Sequence, residues 1–177
     1  MIPPVNRSPA SHQDVPTTVE QLLASARARL NRLSPEQAYA ATRDGAQMVD
    51  IRSDSQRAAD GLIPGARFVP RNVLEWRLDP ACPNRDPQLA SPDLLVVLIC
   101  EEGYQSSLAA ATVQQFGSTA VTDVIGGVRA WRAAGLPIEP EAERIGSADA
   151  QHGRPAPASA TKIHSSGGAP DSPAGIV

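Results

Sequence analysis

Leu94-Leu95-Val96-Val97-Leu98-Ile99-Cys100-Glu101-Glu102-Gly103-Tyr104-Gln105-Ser106-Ser107-Leu108-Ala109-Ala110 reads as a buried strand, a short loop opened by a cysteine, and the start of a helix. Five aliphatic residues in a row, Leu95 to Ile99, suit a strand covered on both faces, as in a parallel sheet. Gly103 permits backbone angles that other residues resist. Ser106 and Ser107 are good helix N-caps, and the Ala-rich run behind them favours helix. Cys100 is then expected at the base of a loop whose N–H groups and following helix end point at its sulfur, an arrangement that stabilises a thiolate.

The rest of the chain bounds what that cysteine serves. At 177 residues there is room for one ordinary domain with tails. A formal net charge of -3 gives no general affinity for nucleic acid or anionic membrane. No apolar run approaches the ~20 residues of a transmembrane helix, and no secretory signal is visible. The two cysteines, Cys82 and Cys100, are too few for a disulfide framework, so a reduced, cytoplasmic setting is expected, with a Cys82–Cys100 bond as the lesser alternative. The histidines His12, His152 and His164 all fall near the ends of the chain. A core without histidine argues against a Cys–His nucleophile pair and against a zinc site, so no metal or cofactor is expected.

Composition divides the chain. Residues 1–16 carry four prolines and little apolar content, and read as a disordered leader. Thr17 and Glu20 have capping-box spacing, and Val19, Leu22, Leu23, Ala26, Leu30 and Leu33 roughly share a face, which predicts an N-terminal helix over 17–32. That helix either packs on the domain or binds a partner. Ser34-Pro35-Glu36-Gln37 is a second helix start, ended by Gly45. A strand over Gln47–Arg52, a helical turn over Asp54–Ala59, a short strand over Ala66–Val69 and a helix over Arg71–Leu78 follow. The connection from Asp79 to Pro92 is long enough to be functional or mobile. After the cysteine strand and its helix come a strand over Thr122–Ile125 and a helix over Val128–Ala134. From Glu141 onward Pro, Gly, Ser and Ala dominate, so 141–177 reads as a disordered tail. Strands alternating with helices over 33–140 predict an α/β domain with a small, mostly parallel sheet flanked by helices. In such sheets sites form at the carboxyl ends of strands, where Cys100 falls.

Four segments, in this order, resemble the rhodanese-like domain family. Asp50-Ile51-Arg52 is similar to its D-x-R. Gly61-Leu62-Ile63-Pro64-Gly65-Ala66 is similar to its G-H-I-P-G-A, with Leu62 in place of the usual His. Cys100 to Ser106 matches the frame C-x-x-G-x-x-S of its active-site loop. Gly126-Gly127-Val128-Arg129-Ala130-Trp131, followed by Ala134-Gly135-Leu136-Pro137-Ile138, resembles its closing segment. The resemblance implies a sulfurtransferase or persulfide carrier. Cys100 would take sulfur from a small sulfur donor or a protein persulfide and pass it to a thiol or protein acceptor. The substrate would rest on Glu101, Glu102, Gly103, Tyr104, Gln105 and Ser106, whose amides cradle the sulfur. The alternative is a non-catalytic binding or regulatory module of the same family. Related phosphatases and arsenate reductases use a loop one residue longer that ends in arginine, so this loop argues against both.

The loop departs from thiosulfate-using members, which carry arginines where Glu101 and Gln105 stand. Carboxylates near the sulfur oppose a dianionic donor; one charge at 4 Å is worth ~4 kcal/mol at an effective dielectric of 20. Compensating cations are expected from Arg71 and Arg77, which flank Trp76 on one predicted helix. The bland reading of that segment is a solvated face with a core Trp. Arg52 reads as a structural ion-pair partner and Trp131 as core. Cys82 is an incidental loop cysteine or a resolving thiol for Cys100.

Overall fold

Side chains along β3 (Val96–Ile99) build the core on both sides at once. Val96, Leu98 and Cys100 point to one face of the sheet and Val97 and Ile99 to the other, as the two-residue period of a strand requires. Every residue of this strand is buried, which explains why its sequence is continuously aliphatic rather than alternating.

The computed structural model describes residues 17–91, 93–117 and 120–140. The leader and tail expected over 1–16 and 141–177 lie outside the described residues. The sheet has four strands, all parallel, in the order β2 (Arg67–Phe68), β1 (Gln47–Asp50), β3, β4 (Val121–Asp123). This is the α/β architecture expected from the sequence. On one face lie α1 (Val19–Arg27), α4 (Leu74–Leu78) and α5 (Gln105–Val113), which bury Ala26, Leu74, Leu78, Ala109, Ala110 and Val113 against Val49, Ile51 and Leu98. On the other lie α2 (Pro35–Arg43) and α6 (Gly127–Ala133), packed on Met48, Val97 and Ile99. Trp131 is the largest side chain buried there. Its indole N–H donates to Pro137 O at 2.9 Å and its ring meets Tyr39 edge-on. It is core, as expected.

Local signals place the starts of α1, α2 and α3 (Asp54–Asp60), the last capped by Ser53 with Gln56. Ser34 caps α2 in a full capping box with Gln37, and Pro35 takes the first turn. Such a cap contributes about 1 kcal/mol. The cap of α1 is Thr18 with Gln21, one residue beyond the expected Thr17 and Glu20. This helix also stops at Arg27, so Val19 and Leu22 remain exposed while Ala26 and Leu30 join the core. It packs on the domain through Ala26. The segment 71–78 is a single 3-10 turn, Arg71–Val73, running into the short α4. Trp76 on α4 is 57% exposed, contrary to its reading as core, because Leu74 and Leu78 already take the inward face. The long connection after α4 is pinned by fully buried Leu89 and by an Arg67–Asp86 ion pair at 2.6 Å.

From β1 the chain passes outward to β2, then returns across β1 to β3 on its other side. The carboxyl ends of β1 and β3 therefore flank the crevice at which ligands collect in such sheets. Asp50 and Ile99 are paired neighbours at those ends, and two residues further on Arg52 faces Glu101, the residue after Cys100.

Candidate active site

Cys100 leaves β3 with its side chain buried, 4% exposed, and the chain coils around its sulfur. The N–H groups of Gly103 and Ser106 donate to Sγ at 3.2 and 3.3 Å. Of the loop amides expected as a cradle, these two are the ones within reach of the sulfur. Gly103 turns with φ +76°, and a Cβ there would press on Gly126 N and Val124 O. The loop is also fixed from beneath: Val128 N and Arg129 N donate to Cys100 O and Glu101 O at 2.9 and 3.1 Å. Gly127 lets α6 approach that closely, since a Cβ on it would overlap both carbonyls.

The two serines are not helix caps. The helix α5 begins at Gln105 with Tyr104 as its N-cap, so Ser106 and Ser107 sit within its first turn, fully buried. Their hydroxyls turn toward the sheet. The Cys100 thiol donates to Ser106 Oγ at 3.2 Å, and Ser106 Oγ donates to Asp123 Oδ2 at 3.0 Å. Ser107 Oγ lies 2.8 Å from both Gly103 O and Asp123 Oδ2. Asp123, at the end of β4, is wholly buried and receives Arg32 Nε on Oδ1 at 2.8 Å and Arg32 Nη2 on Oδ2 at 3.0 Å. Arg27 Nη2 and Arg32 Nη2 also donate to Gly103 O, at 3.0 and 3.3 Å. A carboxylate, two hydroxyls and two guanidinium groups thus lie beneath the cysteine loop.

Above the sulfur is a pocket of about 280 Å³ lined by Cys100, Glu101, Glu102, Tyr104, Gln105, Gln56 and Arg129. The loop residues expected to meet substrate thus line it, except Gly103 and Ser106, whose N–H groups face the sulfur from below. The acidic side chains are not free. Glu101 lies 3.5 Å from Arg129 Nε and 3.8 Å from Arg52 Nη1, and Arg129 Nη1 pairs with Glu102. Arg52 is itself held by Asp50 at 2.8 Å and donates to Gly61 O at 2.7 Å, the structural role read for it. Glu101 Oε2 and Arg52 Nη1 are buried facing each other without a hydrogen bond.

Arg71 lines a second pocket of about 360 Å³ that shares Gln56 and Gln105 with the first, and it is paired with Glu75 at 2.6 Å. Arg77 lines neither pocket; its Nη1 donates to Asn84 O. Cys82 is a free, partly buried thiol that also lies outside both, and no disulfide joins it to Cys100.

Sequence reasoning missed Arg129, Gln56, Asp123, Arg32 and Arg27. Arg129 stands in the quoted Gly126–Trp131 segment, two residues beyond a glycine pair, where a cation on a helix start was visible without a partner. Asp123 carried a signal too: a carboxylate within a strand expected to be buried needs a partner.

A family model described as the rhodanese-like domain matches residues 34–134. A sulfurtransferase of Allochromatium vinosum is 34% identical over 91 residues, which is 51% of this chain and 76% of that one. The thiosulfate sulfurtransferase GlpE of Pseudomonas aeruginosa is 35% identical over 101 residues, 57% of this chain and 83% of its own. Among solved structures, a Rhodopseudomonas palustris protein of unknown function, described as a possible tyrosine phosphatase, is similar at 34% identity and TM-score 0.65. That likeness spans 73% of this chain and all of that one.

Proposed function

Because this chain belongs to the rhodanese-like domain family, we propose that it is a sulfurtransferase whose persulfide is carried on Cys100. The observation that bears most weight is the pair of backbone N–H groups, from Gly103 and Ser106, that converge on Sγ at the floor of a small pocket. Converging amides stabilise a sulfur anion without the need for a base.

With a persulfide donor R–S–SH, the Cys100 thiolate attacks the outer sulfur. A new S–S bond forms, the donor S–S bond breaks, and R–S⁻ leaves and takes up a proton. Cys100 now holds S–SH. An acceptor thiolate then attacks the terminal sulfur and expels the Cys100 thiolate, so the cycle involves no net redox change. Gly103 and Ser106 hold the inner sulfur, and Glu101, Tyr104, Gln105 and Arg129 surround the transferred one.

The rim charge favours a protein or low-molecular-weight persulfide over free thiosulfate. Glu101 and Glu102 engage Arg129, and Arg52, which also faces Glu101, is held by Asp50, so among the described residues no guanidinium at the mouth is left unpaired. A dianion meets two carboxylates there and no free cation. Both cysteines are free, which is compatible with a reducing compartment, and a cytoplasmic setting is part of this proposal. Among the described residues no helix is long and apolar enough to cross a membrane.

Intact mass after incubation with sulfur donors tests the proposal. One added sulfur atom is expected on the native chain and none on Cys100→Ala. No adduct with any donor, a persulfide included, overturns it and leaves a binding module as the reading.

A further inference from the structure

Each serine hydroxyl beneath Cys100 has one proton and more than one acceptor within reach. Ser106 Oγ lies between Cys100 Sγ and Asp123 Oδ2, and Ser107 Oγ between Asp123 Oδ2 and Gly103 O. Two arrangements satisfy these atoms. In the first, Cys100 S–H donates to Ser106, Ser106 to Asp123, and Ser107 to Gly103 O. In the second, Cys100 is a thiolate, Ser106 donates to it, and Ser107 has turned to Asp123.

We propose that Ser106, Ser107 and Asp123 form a two-state hydroxyl relay that switches when Cys100 loses its proton, with Ser107 and Asp123 as positioning residues. The idea rests on Cys100 acting as the sulfur carrier, but its test requires no sulfur transfer. The thiol proton departs to solvent before attack, its electron pair stays on sulfur, the leaving thiolate later takes up a proton from solvent, and Asp123 remains a carboxylate throughout. Only hydroxyl protons rotate.

The surroundings make the second state affordable. When Ser106 leaves Asp123, the carboxylate keeps Arg32 on both oxygens and gains Ser107 in full. When Ser107 leaves Gly103 O, that carbonyl keeps Arg27 Nη2 and Arg32 Nη2. No buried acceptor is left bare in either state, which is the condition for a buried polar network to change without large cost. Arg27 and Arg32 both precede residue 34, where the family match begins, so the relay depends on a segment outside the matched region.

Alkylation of Cys100 by iodoacetamide, followed by intact mass in the full chain carrying Cys82→Ser, reads the thiolate directly. At neutral pH Ser106→Ala should react about tenfold more slowly, the worth of a hydrogen bond to a charged group. Ser107→Ala, which removes no contact to sulfur, should slow it roughly threefold, because Ser106 is then retained by Asp123. The double variant should be no slower than Ser106→Ala alone. All rates should converge at alkaline pH, where the thiol ionises in every variant. Thiolate absorbance in the far ultraviolet should fall in the same order. A Ser107→Ala rate equal to that of the parent, multiplicative effects in the double variant, or a deficit that persists at alkaline pH each overturns the relay.

Discussion

Arg129, on α6, reaches over the cysteine loop to Glu101, its Nε 3.5 Å from the carboxylate, and takes Glu102 with a second nitrogen. Among the described residues Arg129 is the one guanidinium lining the pocket, and it is committed to two carboxylates of the loop. Replacing Glu101 and Glu102 with glutamine releases it. A charge about 8 Å away contributes ~2 kcal/mol at an effective dielectric of 20, so kcat/KM for thiosulfate should rise at least about tenfold. Persulfide donors should change less. Steady-state assays with both donors check this, and adding Arg129→Ala to the double variant should reverse part of the gain, the remainder reporting the lost carboxylate repulsion. A thiosulfate rate unmoved by the glutamine pair would mean that access or loop shape limits that donor.

A second prediction concerns phosphate esters. The similar Rhodopseudomonas palustris structure is described as a possible tyrosine phosphatase. In the present loop no arginine follows Cys100 before the helix, and Arg129 is neutralised by Glu101 and Glu102. A phosphate dianion lacks the bidentate partner it favours. Hydrolysis of p-nitrophenyl phosphate should match that of Cys100→Ala. A rate above that background would require a phosphatase reading.

Gly127 offers a stability test of loop placement. Its φ is +61°, and a Cβ would overlap Cys100 O and Glu101 O. Gly127→Ala should therefore cost more than the ~1 kcal/mol of a strained φ alone, and should push the loop off α6. Gly45 is the control: its φ is +102°, but a Cβ there meets nothing within 4 Å. Thermal melts should show a clearly larger loss at Gly127, accompanied by loss of Cys100 reactivity that Gly45→Ala does not share.

How far the chain could be read without coordinates depended on the range of each interaction. The buried parallel strand was legible because burial on both faces forces continuous aliphatic residues, and Ser34-Pro35-Glu36-Gln37 was legible because a capping box is local. Thr17 and Thr18 were not separable, since Glu20 and Gln21 offer both the same spacing. Ser106 and Ser107 misled because their preference for caps is real. Here, however, the chain coils around the Cys100 sulfur and starts the helix at Gln105, which frees their hydroxyls for Asp123. Trp76 was ambiguous among charges until Leu74 and Leu78 were seen to occupy the buried side of a helix of five residues. Arg32 and Asp123 are 91 residues apart in sequence, beyond any local pattern.

That long-range pair supports the last prediction. The family match begins at residue 34, yet Arg32 supplies both charged contacts to Asp123, and Arg27 and Arg32 both hold Gly103 O. A chain cut to residues 34–140 retains the matched region and leaves Asp123 buried without its cation. Removing one partner of a buried ion pair costs about 3–5 kcal/mol, because the remaining charge keeps its desolvation penalty. Urea titration should show a loss of at least that size, since the packing of Ala26 and Leu30 is lost as well. Asp123→Asn separates the two contributions. In the full chain it breaks the pair with Arg32 and should destabilise. In the shortened chain it removes an uncompensated charge and should stabilise. The opposite signs are the decisive readout. If Asp123→Asn destabilises both chains equally, the hydroxyls of Ser106 and Ser107, rather than Arg32, are what make this buried carboxylate tolerable.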